Sequence, residues 1–351
     1  MKKKVTMYTL ASELNMSVSA ISRAFNPNSK LSVEKRTLIL AAAEKAGYVP
    51  NQSASRLSQS TLNIGVLLYE YMPSYAKYLV SGIESAYNEL KGFKVNADIR
   101  RLTYGEASSD DAYAILDEFV ANRYDGILLT PPPSGLLSET NPFMERKVRE
   151  ITSAGIKVGL IDEDAPNSGR LFVSMNNLEV TGKIAAELLT SFVAKKPCNV
   201  ALFYTGKIKS RDLFLRSAEE AGINVVAHEY INISMEEKYQ RMNKEKLDSV
   251  FTKNPEINGV YVNTANCLPV CRYLEKHDPE HRITLITSDI FDEMQSYIRK
   301  GIIKASIYQD PFSQGYNAFK TLYYVLAEKR KVPEEILAHP QIILKSNIDL
   351  F

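Results

Sequence analysis

Residues Val5 to Phe25 read VTMYTLASELNMSVSAISRAF. The stretch predicts two short helices opened by Thr6 and Ser17, whose hydroxyls can accept from the free N–H groups of a first turn. A tight turn around Asn15 and Met16 separates them, and Asn tolerates the left-handed backbone such a turn needs. Leu10, Ala11, Leu14, Ile21 and Ala24 then share one apolar seam. A third helix is expected from Ser32 to a stop at Gly47, with Ile39, Ala42, Ala43 and Ala46 at spacings of three and four. Three helices so spaced make either a helix-turn-helix unit or a plain helical subdomain.

Charge adds to this pattern. Residues 1–60 hold nine Lys or Arg against three Glu, net +6, which leaves −4 for the rest of a chain whose total is +2. A basic head on a mildly acidic body suits a polyanionic partner, although Lys2, Lys3 and Lys4 are equally consistent with a solvated terminus. Lys35 and Arg36 fall in the first turn of the third helix. The helix dipole disfavours cations there unless an anion such as a DNA phosphate lies close.

The run T-x-x-x-L-A from Thr6, then MSVSAISRAFN, LSVEKR and AGYVPNQSASRL, resembles the head of the lactose-repressor/galactose-repressor (LacI/GalR) family nearly position by position. The resemblance implies that the second helix enters the major groove. Val18, Ser19 and Arg23 would face base edges, while Ser17 and Ser22 would hold phosphates. Thr6, Asn26, Lys35 and Arg36 join the candidate DNA-binding set. The resemblance further makes NQSASRL a hinge helix, with Asn51 and Ala54 at the DNA and Leu57 as a wedge in the minor groove. Unstacking of about a few kcal/mol would be offset by the wider surface of kinked DNA. There are two departures from the pattern: Asn15 replaces a turn glycine, and Leu38 and Leu40 stand where polar residues are usual.

Beyond residue 60, apolar runs rich in Val and Ile alternate with amphipathic stretches. Strands are expected at Leu62–Tyr69, Lys94–Ile99, Gly126–Thr130, Lys157–Asp162, Asn199–Tyr204, Asn224–His228, Gly259–Val262, Ile283–Ser288 and Ile303–Tyr308. This βαβ rhythm predicts α/β architecture with parallel sheets covered on both faces, and ligands beyond the carboxyl ends of the strands. The body also resembles that family's effector module, which is similar to sugar-binding proteins of the ribose-binding type. The matching runs are IGVLL at Ile64, GIE at Gly82, DGILL at Asp125, NN-x-x-x-TGKIAA at Asn176 and QDPFSQGY at Gln309.

The resemblance implies two doubly wound lobes joined by three crossovers. These are expected near Ile161–Asp164, Asp289–Asp292 and Leu322–Ala327. The expected organisation is thus a head at 1–50, a hinge helix and linker at 51–61, and an effector module at 62–351. Within that module the first lobe would take 62–162 and 292–324, and the second 163–291 and 325–351.

Sugars favour carboxylates and amides that bridge neighbouring hydroxyls, with aromatic faces over the ring. Candidates at strand ends are Tyr75, Asp162, Asp289 and Gln309; each singly is as readily a cap or a lobe-closing group. Arg211 and Asn263 are carried by the resemblance, with two departures. Arg211 lies one place from the family's arginine, and Asn263-Thr264 replaces an Asn-Asp pair. The implied effector is a sugar or polyol, with purines as a further class.

Other chemistries find little support. There is no GxSxG elbow, Walker loop, GxGxxG or HExxH, so no enzyme and no cofactor is expected. Cys267 and Cys271 lack a second pair for zinc, and Cys198 stands apart. With no run of 18 apolar residues and no signal-like start, the chain is expected in the cytoplasm and away from membranes. The expected partners are a palindromic operator in double-stranded DNA, a second copy of the chain in a homodimer, and the effector. The competing readings are a sugar-binding protein and an α/β enzyme, both without a role on DNA.

Overall fold

Thr6, Ser17 and Ser32 each open a helix through the bond their chemistry predicts. The structure is a computed structural model, and it describes residues 5–25, 29–48, 60–70, 72–103, 105–131, 142–205, 208–232, 236–263 and 267–351. The chain divides into two units, Met1–Ser60 and Thr61–Phe351.

The first unit carries α1 (Met7–Glu13), α2 (Val18–Ala24) and α3 (Val33–Lys45). The Thr6 hydroxyl accepts from Thr9 N at 3.2 Å while Thr6 N donates to Thr9 Oγ1 at 2.7 Å, which closes a capping box. Ser17 accepts from Ala20 N at 3.2 Å and Ser32 from Lys35 N at 3.4 Å. Each such cap contributes about 1 kcal/mol. Asn15 takes the left-handed conformation expected of it, with φ 51°, and Gly47 ends α3 with φ 64°. Leu10, Ile21 and Ile39 are completely buried, with Ala11, Ala24 and Ala43 between them. Leu14, Ala42 and Ala46 are half-buried at the margin of that seam, whereas Leu38 and Leu40 are exposed.

In the second unit, twelve strands form two six-stranded sheets among the described residues. The first sheet contains β1 (Leu62–Glu70), β2 (Val95–Thr103), β3 (Gly126–Leu129), β4 (Lys157–Ile161), β5 (Phe172–Met175) and β11 (Glu335–Leu337). Its order is β11-β5-β4-β3-β1-β2, all parallel. The second contains β6 (Asn199–Tyr204), β7 (Asn224–Tyr230), β8 (Gly259–Val262), β9 (Thr284–Ser288), β10 (Ile303–Tyr308) and β12 (Gln341–Ile343). Its order is β12-β10-β9-β8-β6-β7, with β12 alone antiparallel. Central strands such as β3, β6 and β8 are buried along their whole length because helices cover both faces, which is why they read as unbroken apolar runs. The edge strands β2 and β7 keep mixed sequences and are only half-buried.

Around the first sheet lie α4 (Pro73–Leu90), α5 (Ser109–Ala121), α6 (Pro142–Ser153) and the late helix α12 (Pro311–Glu328). The second sheet takes α7 (Leu178–Phe192), α8 (Ile208–Glu220), α9 (Glu237–Lys253), α10 (Leu268–His277) and α11 (Asp292–Lys300). The backbones of α4 and α12 touch. A Cβ on Gly82 would stand 2.0 Å from Phe312 O, and one on Gly315 2.3 Å from Leu79 O. No side chain but hydrogen fits at either position.

The lobes therefore divide at other places than expected. The chain passes from β5 into α7 at Asn176–Asn177, from β10 into α12 at Gln309–Asp310, and from β11 to β12 across residues 338–340. The crossover expected near Ile161–Asp164 is displaced because four-residue β5 extends the first sheet by one more strand. That expected near Asp289–Asp292 fails because α11 buries Met294 and Ile298 in the same core as Val260 and Leu285. That expected near Leu322–Ala327 lies inside α12, which runs on to Glu328. The first lobe thus holds 62–175 and 311–337, and the second 178–308 and 341–351.

Candidate functional site

Parallel strands end in a row of unpaired carbonyls and turning backbone, and in this unit three of those ends carry an aspartate in the left-handed region. Asp162 follows β4 with φ 67°, Asp289 follows β9 with φ 63°, and Asp310 follows Gln309 after β10 with φ 50°. Asp and Asn tolerate this conformation better than other side chains. Main-chain bonds pin the first two, Asp162 N donating to Ser174 O at 2.8 Å and Asp289 N to Ile307 O at 2.9 Å.

Tyr75 reaches this region from the first turn of α4. Its hydroxyl donates to Gln314 Oε1 at 3.3 Å. Burial, reinforced by the charges of Asp162 and Asp289, holds the phenol well above the usual tyrosine range, so Tyr75 stays a neutral donor at physiological pH. Asp289 is buried and accepts twice from Gln309, from its N at 3.1 Å and its Nε2 at 2.7 Å. Those two bonds orient the Asp289 carboxylate. Four predicted residues, Tyr75, Asp162, Asp289 and Gln309, thus converge from α4 and the ends of β4, β9 and β10.

A cavity of about 10 Å³ lies beside them, lined by Ser74, Tyr75 and Tyr78 of the first lobe and by Ile290, Phe291 and Tyr308 of the second. That is room for about one water. The lobes are closed on each other, and Lys77 of α4 faces Asp292 of α11 at 4.0 Å across the mouth. Anything larger than water fits there only if the lobes part.

The other two predicted residues form a second group at the strand ends of the second lobe. Asn263 Nδ2 donates to Ser210 Oγ at 3.3 Å. The Arg211 guanidinium lies 5.4 Å from the centre of the Tyr204 ring and pairs with Asp212 at 2.7 Å. Neither is bonded to the Tyr75 group. Sequence reasoning assigned no role to Asn176, Gln314, Tyr78, Phe291 or Tyr308. Asn176 and Gln314 lie inside the NN-x-x-x-TGKIAA and QDPFSQGY runs. A bond between positions 138 apart leaves no local pattern to read.

In the first unit, Ser19, Ser22 and Arg23 are exposed along α2, Ser17 is exposed at its cap, and Val18 is half-buried. Arg23 Nε donates to Ser19 O at 3.2 Å. Thr6 is exposed and engaged in its capping box. Lys35 is exposed, whereas half-buried Arg36 donates from Nη2 to Ser29 O at 3.1 Å and Ser29 Oγ at 2.7 Å, fastening the turn between α2 and α3. Asn26, Asn51, Ala54 and Leu57 lie outside the described residues.

Among known proteins, residues 64–330 match the model of the periplasmic binding protein domain. The chain is 28% identical over 125 residues to catabolite control protein A of Priestia megaterium, and 25% identical over 225 residues to the HTH-type transcriptional regulator DegA of Bacillus subtilis (strain 168). These matches cover 35% and 63% of this chain, and they span 36% and 63% of the two relatives' lengths. The structure is similar to that of GanP, a glucose-galactose binding protein from Geobacillus stearothermophilus. That likeness has a TM-score of 0.67 and 26% identity, and it covers 83% of this chain and 99% of that one.

Proposed function

The chain belongs to the family of the periplasmic binding protein domain, and we propose that it is a DNA-binding transcriptional regulator whose operator affinity is set by a small sugar or polyol held between its lobes. The observation that carries the ligand reading is the convergence of Tyr75, Asp162, Asp289 and Gln309 at the interlobe cleft. Carboxylates and an amide suit vicinal hydroxyls, and Tyr75, Tyr78, Phe291 and Tyr308 supply rings for the apolar face of a pyranose. The regulator reading is supported by the likeness to DegA and by the exposed polar face of α2.

In this reading α2 is the recognition helix of a helix-turn-helix. Two copies of the chain meet a palindrome. The ligand acts by preferring one lobe angle, and its differential affinity for the two states sets the shift in DNA affinity. Coupling of roughly 1–3 kcal/mol would be ordinary. The chain acts by binding, with no reaction of its own, as a cytoplasmic repressor that the sugar releases.

The test is operator selection from random duplexes with the full chain, followed by fluorescence anisotropy with and without glucose, galactose and ribose. The reading predicts an enriched palindrome and a sugar-dependent change in Kd of about 5- to 150-fold. Selection that enriches no sequence would favour the second reading, a sugar-binding protein without a DNA role, which the likeness to GanP over 83% of the chain supports.

A further inference from the structure

Gln314 lies in the first turn of α12, 1% exposed, with both polar atoms of its side chain engaged. Its Oε1 accepts from the Tyr75 hydroxyl, and its Nε2 donates to Asn176 Oδ1 and, at 2.8 Å, to Gln309 O. Its main-chain carbonyl accepts from Ser174 Oγ at 3.0 Å. Asn176 is the first crossover between the lobes and Gln309 the second, and Gln309 in turn holds Asp289 of the second lobe. One buried amide therefore joins a wall of the cleft to two crossovers.

Two further observations give this junction leverage. Gly82 and Gly315 lock α4 to α12 at backbone contact, so Tyr75 and Gln314 belong to one rigid body. The two crossovers it joins are two residues each and the third, 338–340, three, so any lobe rotation concentrates in their backbone angles and must shift Asn176 Oδ1 and Gln309 O relative to the Gln314 amide. A buried amide that loses both acceptors is costly, and the closed arrangement, with its cavity of about 10 Å³, satisfies both.

We propose that Gln314 is the latch of the cleft: a positioning residue that holds the lobes closed through Asn176 and Gln309 together and senses a ligand through Tyr75. The inference rests on the cleft being the ligand site. A group pressing on the Tyr75 hydroxyl alters the acceptor side of the same amide whose donor side secures the crossovers. Occupancy and lobe angle thereby share one side chain.

The test uses the full chain with no ligand added. Spin labels at Ser81→Cys and Ser296→Cys, one turn along α4 and α11 from the Lys77–Asp292 pair, read the cleft width; both sites are exposed and the native cysteines are buried. Gln314→Met keeps the volume and removes the bonds, and it is expected to raise the ratio of open to closed distances at least tenfold. Tyr75→Phe, which deletes one hydroxyl, is expected to move it part of the way. An unchanged distance distribution in folded Gln314→Met overturns the latch; should that variant not fold, an unchanged distribution in Tyr75→Phe does so. The experiment contains no sugar, so its failure falls on Gln314, whereas failure of sugars to stabilise the chain falls on the functional reading.

Discussion

Gln309 grips Asp289 with two donors, its main-chain N–H on Oδ1 at 3.1 Å and its side-chain amide on Oδ2 at 2.7 Å. The second crossover is thus tied to the carboxylate at the end of a neighbouring strand, at the place where the lobes meet. Removing Asp289 takes the acceptor of both bonds from Gln309, and removing the Gln309 side chain takes one donor from the buried carboxylate.

Asp289→Ala is expected to abolish the sugar response while leaving operator binding by the ligand-free chain within about threefold. The lost bonds to Gln309 should lower stability by roughly 1–3 kcal/mol. Urea unfolding and sugar titration measure the two effects separately. A variant that keeps its sugar affinity removes Asp289 from the pocket.

Arg23 is exposed on α2, and the proposed function gives it a base-reading role. Arg23→Ala should weaken operator binding by about 1–3 kcal/mol, about 5- to 150-fold, with a smaller loss on random duplex. Equal losses on both duplexes would reduce Arg23 to a phosphate contact.

Gly315→Ala places a methyl group 2.3 Å from Leu79 O, so α4 and α12 must separate. A loss of about 1–3 kcal/mol is expected in the unfolding of the α/β unit. Helix capping and burial in residues 7–45 should be untouched, and hydrogen exchange resolves the two units. Native stability in this variant would contradict the tight helix contact.

Tyr75, Tyr261 and Tyr308 are all raised above their ordinary range, mainly by burial. Their neutral forms are favoured in the folded chain, so stability is fully present below the unfolded tyrosine value of about 10. It is lost as pH rises beyond that, because the unfolded chain gives up these protons first. Urea midpoints taken from pH 9 to 11.5 should fall, and Tyr261→Phe should flatten the slope. An identical slope in the variant would contradict the burial of Tyr261.

Where sequence reasoning succeeded, a local physical cause lay behind it. The caps at Thr6, Ser17 and Ser32 and the left-handed Asn15 follow from side-chain chemistry within a few residues. Seven of the nine expected strands are apolar runs inside the sheets, which helices on both faces bury, and the other two, β2 and β7, are half-buried edges that lengthen the pattern. What escaped was short or distant. β11 and β12 have three residues each, too little sequence to show a pattern, and β5 is a four-residue strand that follows β4 with no helix of its own between them beyond one short turn, so missing it moved the first crossover. The placement of Asp162, Asp289 and Gln309 at strand ends, the side of an α/β sheet where a ligand is expected, was legible from the strand pattern. The Gln314 junction was not, since its partners Tyr75 and Asn176 come from remote parts of the chain.

The most direct measurement is the melting temperature of the full chain against pentoses, hexoses, sugar phosphates, inositols and purines, repeated with Asp289→Ala. A sugar present at 100 times its Kd stabilises a folded chain by about 2.7 kcal/mol, a rise of roughly 5 °C for a chain of this size. The account predicts such a rise with at least one neutral sugar or polyol and none for that ligand with Asp289→Ala. A rise with purines alone, or equal rises in both proteins, would contradict a sugar held between the lobes by Asp289.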